Sequence, residues 1–394
     1  MKETPIGFFP DNWEIKNIQE CFRKNEKIKI GPFGSQLKKE YLLTSGDYYV
    51  YGQENVYRKD FHYCYRFLST DRYYNLKSCE IKPGDFVVST MGTIGKCSFV
   101  PDDAHVGIMD SHLVRMRFDD SIYKPFFEAL FESPIIQDQI KLLSVGGIMD
   151  GLSTSIVKKL SIVVPPIEEQ KKISAVITSL NGLIMNLNNA IEKKQAINNG
   201  IMQQLLTGQT RLPGFSEDWV DVKLGDVSHI CTGKRNGDEQ KETGLYPFFV
   251  RSQTVYRIDT YSYDGEAIIV PGEGGIGKIF HYINGKFDYH QRVYKISDFQ
   301  GEFDVKFVYY YMKSFFGPYA LMNTVKATVD SLRLPTFQDF SMHIPGSKIE
   351  QKQIAAILSD ADNELSRLEC LRDKYLLIKQ GVMQELLTGK TRLI

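Results

Sequence analysis

The chain contains the same helical segment twice, and this internal repeat limits its possible folds more than any other feature. Each copy consists of two stretches, and the second copy of each lies 181 positions after the first. A constant offset requires two helices of equal length, with no insertion between the matched stretches. A duplicated chain of this kind favours a protein that binds something with two parts. The matched stretches are Glu169–Ile173 with Glu350–Ile354, and Gly200–Leu212 with Gly381–Leu393.

Fainter matches outside these helices keep the same order along the chain. They predict that each half is a globular region followed by a long helix. The order is also circular, because the continuation expected after Leu393 is found at the N-terminus, around Trp13. We therefore expect neighbouring termini and a pseudo-two-fold molecule. The fainter pairs are Asp11–Trp13 with Glu217–Trp219, Val56–Arg58 with Val255–Arg257, Gly84–Val88 with Gly265–Ile269, Ile94–Lys96 with Ile276–Lys278, and Asp150–Leu152 with Asp330–Leu332.

The repeat also sets the expected domain boundaries. Strand-like runs such as Leu160–Val164 and Ala267–Val270 mix with two helical stretches, at roughly 124–143 and 305–322. This is an α+β pattern, with two α/β globular regions separated by two long antiparallel helices. The expected order is a first globular domain at 1–165, a central helix at 166–212, a second globular domain at 213–346 and a C-terminal helix at 347–394.

Local signals mark both ends of each predicted helix. The first helix should begin after Pro165 and Pro166, since proline suits only the first turn of a helix. In the second copy, Ser347 and Glu350 have the spacing of a capping box. Both helices should end at a glycine, Gly208 and Gly389.

A heptad-like spacing predicts that the two helices pair as a coiled coil. Apolar residues recur in alternating steps of three and four in both helices, and the apolar stripe of the second helix drifts midway, after Leu368. Lys194 and Asn198 are polar positions on the seam of the first helix. Gly200 and Gly381 occupy equivalent positions inside the helices, and either a close helix approach or a local helix break would explain them. The predicted seam residues are Ile173, Ile177, Leu180, Ile184, Leu187, Ile191, Ile354, Leu358, Leu365 and Leu368.

Composition and motifs argue against several other classes of protein. No stretch approaches the ~20 apolar residues of a membrane span. The six cysteines include no Cys-x-x-Cys pair, so neither zinc nor a disulfide framework is predicted. The segment Gly272–Lys278 resembles a phosphate-binding loop, but Ile279 stands where Ser or Thr should be, and a strand rather than a helix should follow. No other catalytic motif is present, so we expect a non-catalytic chain.

In combination, the repeated motifs resemble the specificity (S) subunits of type I restriction-modification enzymes. The resemblance covers essentially the whole chain, and the second strand-to-helix junction, Met342–Gln351, departs from it by losing the double proline. The residues that carry it are the junction Leu160–Ile173, the helix end Gln203–Gly208, their second copies, and the loops Gly31–Leu37 and Gly92–Lys96.

This resemblance implies two target recognition domains, each reading one half of a bipartite double-stranded DNA sequence. The helices, about 60 Å long at 1.5 Å per residue, would set the spacer between the halves and dock two methyltransferase (M) subunits. Endonuclease and translocase (R) subunits would join them. Catalysis, S-adenosylmethionine, ATP and Mg would belong to those partners, in a bacterial or archaeal cytoplasm. The neutral charge, 48 basic and 48 acidic residues, agrees with partners that supply much of the phosphate contact.

The predicted DNA contacts combine glycine-containing loops with side chains that can reach phosphates or base edges. No metal ligand is predicted. A coiled-coil scaffold without DNA contact is the alternative function, and a nucleotide-dependent enzyme using Gly272–Lys278 is a second. The candidates are Ser35, Gln36, Lys38, Thr93, Lys96 and His112 in the first domain, and Lys234, Arg235, Asn236, Lys278, Gln291, Arg292, Lys326 and Thr328 in the second.

Overall fold

Each repeated half of the sequence forms β-sheets with short helices and then runs into a 40-residue helix. The structure is a computed structural model that describes residues 1–92, 94–144, 152–323 and 331–393. Thr93, Lys326 and Thr328 therefore lie outside the described residues. The chain divides into two units: unit 1 comprises Met1–Asn186 with Arg372–Ile394, and unit 2 comprises Leu187–Leu371.

The described residues of unit 1 form four small sheets, with strand orders β1-β2, β6-β5-β10-β7, β4-β11-β8-β9 and β12-β3. Within the four-stranded sheets only β5 and β10 pair in parallel. The strands are β1 (Lys2–Thr4), β2 (Gly7–Phe9), β3 (Glu14–Asn17), β4 (Lys29–Ile30), β5 (Tyr48–Tyr51), β6 (Phe67–Leu68), β7 (Glu80–Ile81), β8 (Phe86–Ser89), β9 (Cys97–Phe99), β10 (Gly107–Met109), β11 (Leu113–Met116) and β12 (Ser161–Val164).

Short helices pack into both hydrophobic cores that the described residues of unit 1 form. Phe126, Phe127 and Phe131 pack against Phe86 of β8 in one cluster, and the second cluster lies around Val50 and Ile108. The predicted helix at 124–143 is interrupted, because Ser133 is extended and Pro134 begins a new helix. The helices are α1 (Gln53–Arg58), α2 (Thr70–Asn75), α3 (Lys124–Glu132), α4 (Pro134–Ser144), α5 (Thr154–Val157) and the long α6 (Ile167–Leu206), which continues into unit 2.

Unit 2 gathers most of its strands into one six-stranded sheet of order β14-β19-β17-β18-β15-β16, beside a two-stranded β13-β20 sheet. Helix α8 packs on the large sheet through Phe307, Val308 and Phe316. The elements are β13 (Trp219–Lys223), α7 (Leu224–Val227), β14 (His229–Thr232), β15 (Tyr246–Phe249), β16 (Val255–Ile258), β17 (Tyr263–Pro271), β18 (His281–Tyr289), β19 (Val293–Ser297), α8 (Val305–Met322), α9 (Leu334–Gln338), β20 (Ser341–Pro345) and the long α10 (Lys348–Leu387), which continues into unit 1.

The ladders confirm the repeat and correct two of its fainter matches. Strand β8 pairs Phe86 with Met116, and β17 pairs Ile268 with Ile296. Phe86 is thus equivalent to Ile268, one residue away from the sequence match, and a one-residue slip would exchange the two faces of the strand. The match of Val56–Arg58 with Val255–Arg257 is wrong as a structural equivalence, because the first lies in α1 and the second in β16.

The long helices are antiparallel within each unit. In unit 2, Asn198 of α6 donates to the carbonyl oxygen of Ala361 in α10 at 3.0 Å, and Lys194 forms an ion pair with Glu364. In unit 1, Ile173 and Ile177 pack in one cluster with Leu386 and Leu387. The two polar seam residues are therefore engaged across the helix pair, although Asn198 Oδ1 is buried without a donor in the described structure.

The predicted seam residues line this pairing. Those near the helix starts are the most buried, and the seam opens towards Leu365 and Leu368. The pattern agrees with the drift of the apolar stripe along α10 seen in the sequence. Ile173, Ile177, Ile184, Leu187, Ile191, Ile354 and Leu358 are buried, while Leu180, Leu365 and Leu368 are half-buried.

Hydrogen bonds between the start of one long helix and the residues that follow the end of the other explain why both sequences are repeated. Glu169, near the start of α6, accepts two hydrogen bonds from Arg392 at 2.6 and 2.8 Å and one from Trp13 Nε1 at 2.9 Å. In unit 2, Glu350 accepts two hydrogen bonds from Arg211 at 3.1 and 2.6 Å. Ser347 directly precedes this helix, as the capping-box spacing predicts, but in the described structure the Glu350 carboxylate accepts from Arg211 and not from the Ser347 amide.

A buried glutamine follows each of these glutamates. Gln170 is fully buried; its oxygen accepts from the Tyr123 amide at 2.8 Å, and its nitrogen donates to the carbonyl oxygens of Ser121 and Pro165 at 2.9 Å each. Gln351 makes the same set of bonds in unit 2 with the backbone of residues 304, 345 and 302, at 2.8, 2.9 and 3.4 Å. These two side chains attach each helix start to its globular region.

The glycines of the helices have different roles. Gly208 and Gly389 end the helices with φ of +71° and +66°, as predicted for C-terminal caps. Gly389 lies against Pro10 and Trp13, which confirms that the chain end returns to the N-terminal region. Both explanations for Gly200 and Gly381 are wrong: each helix is continuous, and a Cβ at either position would meet nothing within 4 Å.

Candidate nucleic-acid interface

Three chain segments of unit 1 meet at the ends of β8 and β11. The Gly31 amide donates to the Leu113 carbonyl at 3.1 Å, and the Thr90 amide donates to the His112 carbonyl at 2.9 Å. Leu152 then donates to the Thr90 carbonyl at 2.8 Å. These bonds bring the loops that follow Gly31 and Thr90 to the turn at residues 110–112.

Unit 2 repeats this hydrogen-bond frame residue by residue. The Gly233 amide donates to the Val293 carbonyl at 3.3 Å, and the Gly272 amide donates to the Arg292 carbonyl at 2.9 Å. Leu332 donates to the Gly272 carbonyl at 2.8 Å. The backbone of the two units is thus equivalent in this region, and His112 is equivalent to Arg292. We call this region, where the loops meet the ends of the strands, the loop edge of each unit.

The loops begin at positions where only glycine fits. A Cβ on Gly31 would lie 1.8 Å from the Asp110 carbonyl oxygen, and one on Gly233 would lie 2.0 Å from the Tyr289 carbonyl oxygen. No real Cβ approaches backbone so closely, so any side chain here would force the loop away from the strand.

The central turn is held by a side chain in each unit, but by different chemistry. Asp110 Oδ1 accepts from the His112 amide at 2.9 Å, whereas His290 Nδ1 accepts from the Arg292 amide at 2.9 Å. Burial lowers the pKa of His290, and the neighbouring positive charges of Arg251 and Arg292 lower it further. The neutral ring required to accept this hydrogen bond is therefore favoured.

The predicted contact residues of unit 1 lie on or beside these loops. Ser35 and Gln36 lie in an exposed 3₁₀ turn, Gly34–Gln36. Lys38 is exposed and 3.4 Å from Glu40. Lys96 is exposed at the end of the Thr90 loop, where its carbonyl accepts from Ser89 at 2.8 Å. The hydrogen-bond frame brings this loop to half-buried His112.

In unit 2 the predicted residues are brought together by direct contacts. Gln291 donates to Asn236 Oδ1 at 2.8 Å, so the loop after Gly233 touches the central turn. Lys234 and Lys278 are exposed. Arg292 is also exposed and forms an ion pair with Glu273.

Arg235 differs from the other predicted contacts, because protein acceptors surround its guanidinium group. It donates to Asp288 and Glu239 at 3.0 Å each, and to Thr260 at 2.9 Å. The bond to Asp288 is the main cause of its raised pKa. This geometry favours a bracing role for Arg235 beneath the loop.

Sequence reasoning missed several residues of this edge. Arg251 and Glu273 lie beside Arg292 in unit 2, and Gln53 and Tyr57 lie beside Gly92 in unit 1. No motif marks them, since their proximity depends on how distant loops fold together. A polar cavity of about 200 Å³ adjoins the edge in unit 2, and its lining includes Glu273, Gln291, Arg292 and Arg333.

The phosphate-binding alternative for Gly272–Lys278 is excluded by the local fold. These residues join β17 to β18, so the required helix is replaced by the strand His281–Tyr289. Across the described ranges, no group of three or more His, Cys, Asp or Glu residues could hold a metal ion. No helix in those ranges has the length and hydropathy to cross a membrane.

Comparison with known proteins agrees with the duplicated architecture. The family described as the type I restriction modification DNA specificity domain matches residues 10–198 and 216–372. The EcoDI specificity subunit of Escherichia coli is 27% identical over 177 residues, 44% of this chain and 38% of that relative's length. The MjaVIII specificity subunit of Methanocaldococcus jannaschii is 24% identical over 322 residues, 73% of this chain and 75% of that relative.

A solved structure shares the fold. The S subunit of a type I restriction-modification system from M. genitalium aligns with a TM-score of 0.65 at 16% identity, covering 97% of this chain and 98% of that one. The family match covers most of the chain in two segments, one for each half of the repeat. The chain therefore belongs to the family of type I restriction modification DNA specificity domains, as a specificity subunit that carries two copies of the domain.

Proposed function

We propose that each unit reads one half of a bipartite, asymmetric DNA target through the loop edge described above. One observation supports this proposal most directly: the same backbone frame carries different side chains in the two units. Unit 1 presents His112 where unit 2 presents Arg292, on identical backbone hydrogen bonds. A shared frame with different base-reading groups is what an asymmetric two-part target requires.

The long helices set the spacing between the half-sites and dock the partner subunits in this proposal. Both carry apolar side chains that the chain itself leaves uncovered, including Met185 and Ile197 on α6 and Leu376 and Leu377 on α10. Such residues suit two methyltransferase subunits, joined in turn by endonuclease and translocase subunits. Methylation of adenine, with S-adenosylmethionine, ATP and Mg, is assigned to those partners, and none of these cofactors to this chain.

The proposal also covers the cellular location of the protein and the boundaries of its functional segments. We place it in the cytoplasm of a bacterial or archaeal cell, where its DNA target lies. The proposed functional segments keep the boundaries 1–165 and 213–346 for recognition, with 166–212 and 347–394 as the helical spacer. Truncation at these boundaries, followed by a test of folding, examines the segments separately.

The test is to map methylated adenines across the genome in cells with and without this chain, with its methyltransferase subunit present in both. We expect one asymmetric motif with a fixed gap to depend on the chain. An unchanged methylome, together with no salt-dependent DNA binding by the assembled complex, would support the scaffold alternative instead.

A matched pair of variants links that motif to the loop edge. Gly233→Ala places a Cβ 2.0 Å from a backbone oxygen and should abolish methylation of the motif. Gly237→Ala, in the same loop, meets nothing within 4 Å and should preserve it. Equal activity of the two variants would argue against this edge as the reading surface.

A further inference from the structure

One carboxylate at the edge of unit 2 holds two exposed arginines. Glu273 is largely buried, with 14% of its side chain exposed, and each of its oxygens takes a different guanidinium group. Oε1 accepts from Arg292 Nη1, and Oε2 accepts from Arg251 Nη1 at 3.3 Å. The arginine side chains are 57% and 52% exposed, so their remaining donors face solvent.

The backbone on both sides of this contact is also held in place. Gly272, next to Glu273, donates to the Arg292 carbonyl, and Glu273 forms a β-bridge with Ser331. The Arg292 amide in turn donates to His290 Nδ1. Arg292 is therefore restrained at its backbone and at the tip of its side chain, which reduces the conformational entropy that binding would cost.

The restrained geometry leaves a specific donor pair available. A guanidinium group has five N–H donors, and Glu273 engages Nη1 of Arg292. Within the described structure, Nε and Nη2 of Arg292 make no hydrogen bond, so the other edge of the group keeps two parallel donors. A pair of this kind matches O6 and N7 of guanine in the major groove, the commonest specific arginine contact with DNA.

Unit 1 lacks this arrangement at the equivalent positions. Asp110 and His290 donate through their amides to the carbonyls of Tyr51 and Phe249, both at 2.9 Å, which aligns the residues that follow them. By this alignment Gln53 occupies the place of Arg251, while the Thr90–Gly272 equivalence puts Met91 in the place of Glu273. Since His112 is equivalent to Arg292, unit 1 has no guanidinium group at any of these three positions.

We propose that the half-site read by unit 2 contains a guanine recognised by Arg292, and that Glu273 is the positioning residue that orients Arg292 and Arg251 for this contact. The inference rests on the proposed function and deepens it, because it names a base and the residues that select it. Arg333, which lines the neighbouring cavity, adds positive charge beside the pair, suited to DNA phosphate.

The test uses the complete complex and duplexes in which each base pair of its methylated motif is replaced in turn. Wild-type protein should lose roughly 5- to 150-fold in affinity when the critical G·C pair is replaced. Arg292→Lys should reduce that factor at least several-fold at this position alone, because lysine is a point donor that lacks the paired edge. Discrimination at all other positions should be unchanged.

Glu273→Gln separates positioning from a merely structural role. It should also reduce discrimination at the guanine, yet leave binding to unrelated DNA unchanged or tighter, because a negative charge has been removed. Glu302→Gln makes the same charge change beyond the opposite end of β19, at an exposed residue, and should leave guanine discrimination intact. Thermal melting of all three variants verifies that they fold.

Three results would overturn the inference while leaving the proposed function standing. They are a bipartite motif in which no guanine is discriminated, full discrimination in both Glu273→Gln and Arg292→Lys, and parallel loss of specific and unspecific binding in Glu273→Gln. Absence of any motif and of salt-dependent DNA binding would instead refute the proposed function itself.

Discussion

Replacing Gln170 by methionine should destabilise unit 1 by about 2–8 kcal/mol. The change keeps the length and volume of the side chain but removes three hydrogen bonds to backbone groups. Each buried backbone group left without a partner costs about 1–3 kcal/mol. The greater hydrophobicity of methionine offsets about 1 kcal/mol of that total. For a domain of ordinary stability, about 5–15 kcal/mol, the loss is large.

The equivalent change in unit 2 provides an internal comparison. Gln351→Met removes two bonds of good length and one of 3.4 Å, so its cost should be lower by about 1 kcal/mol. Gln384→Met is the control for unit 1, because this glutamine lies in the same unit as Gln170 and is exposed on α10. Its effect should stay within about 0.5 kcal/mol.

The two tryptophans allow each unit to be followed separately. Trp13 lies in unit 1 and Trp219 in unit 2, and the chain has no others. Urea unfolding monitored by fluorescence in a Trp219→Phe background reports on unit 1, and in a Trp13→Phe background on unit 2. A shift for Gln170→Met no larger than that for Gln384→Met would refute the view that Gln170 anchors the helix.

Three other predictions concern the helices and the DNA edge. Gly200→Ala and Gly381→Ala should each raise the free energy of unfolding by about 0.5–1 kcal/mol, measured by urea unfolding, because a Cβ there meets nothing within 4 Å in a continuous helix; destabilisation would show a constraint at these sites. The lowered pKa of His290 means that its contribution to stability is present above the unfolded pKa, about 6.5, and is lost as pH falls through the folded value. Its neighbours Arg251 and Arg292 favour the neutral ring while Glu273 opposes them, so His290→Asn should flatten the fall in unit 2 stability between pH 7 and 5; an unchanged pH profile would assign that fall to other groups. Lys278→Ala should lower the salt slope of DNA binding by about 1 without altering base preference, as measured by titration at several salt concentrations, and a changed base preference would contradict its assignment to phosphate.

The parts of the fold that the sequence predicted are those set by local or periodic signals. The start of α6 after Pro166 and the ends of the two long helices at Gly208 and Gly389 depend on backbone conformations that few residues adopt. The seam was visible because one buried face of a helix imposes its spacing along the whole segment. The strand after Gly272–Lys278 was predictable too, from the apolar residues that replace the expected Ser or Thr.

The parts that the sequence did not predict depend on contacts between distant residues. Glu273 meets Arg251 and Arg292 across 22 and 19 positions, and nothing in the local pattern marks that triad. The same limitation applies to Arg235, a predicted DNA contact whose hydrogen bond to Asp288, 53 positions away, no local pattern marks. The match of Val56–Arg58 with Val255–Arg257 was misleading, since three identical letters carry too little information to determine helix or strand.

The anchoring of each helix by a glutamine has a consequence for how this protein can change over time. Gln170 and Gln351 bond only to amide and carbonyl groups of the main chain, which are the same whatever side chains those residues carry. The attachment therefore does not depend on which side chains those neighbouring residues carry. A recognition region could drift in sequence, or be exchanged for a foreign one, and still join the same helix, so that new specificities could arise without redesign of the frame that carries them.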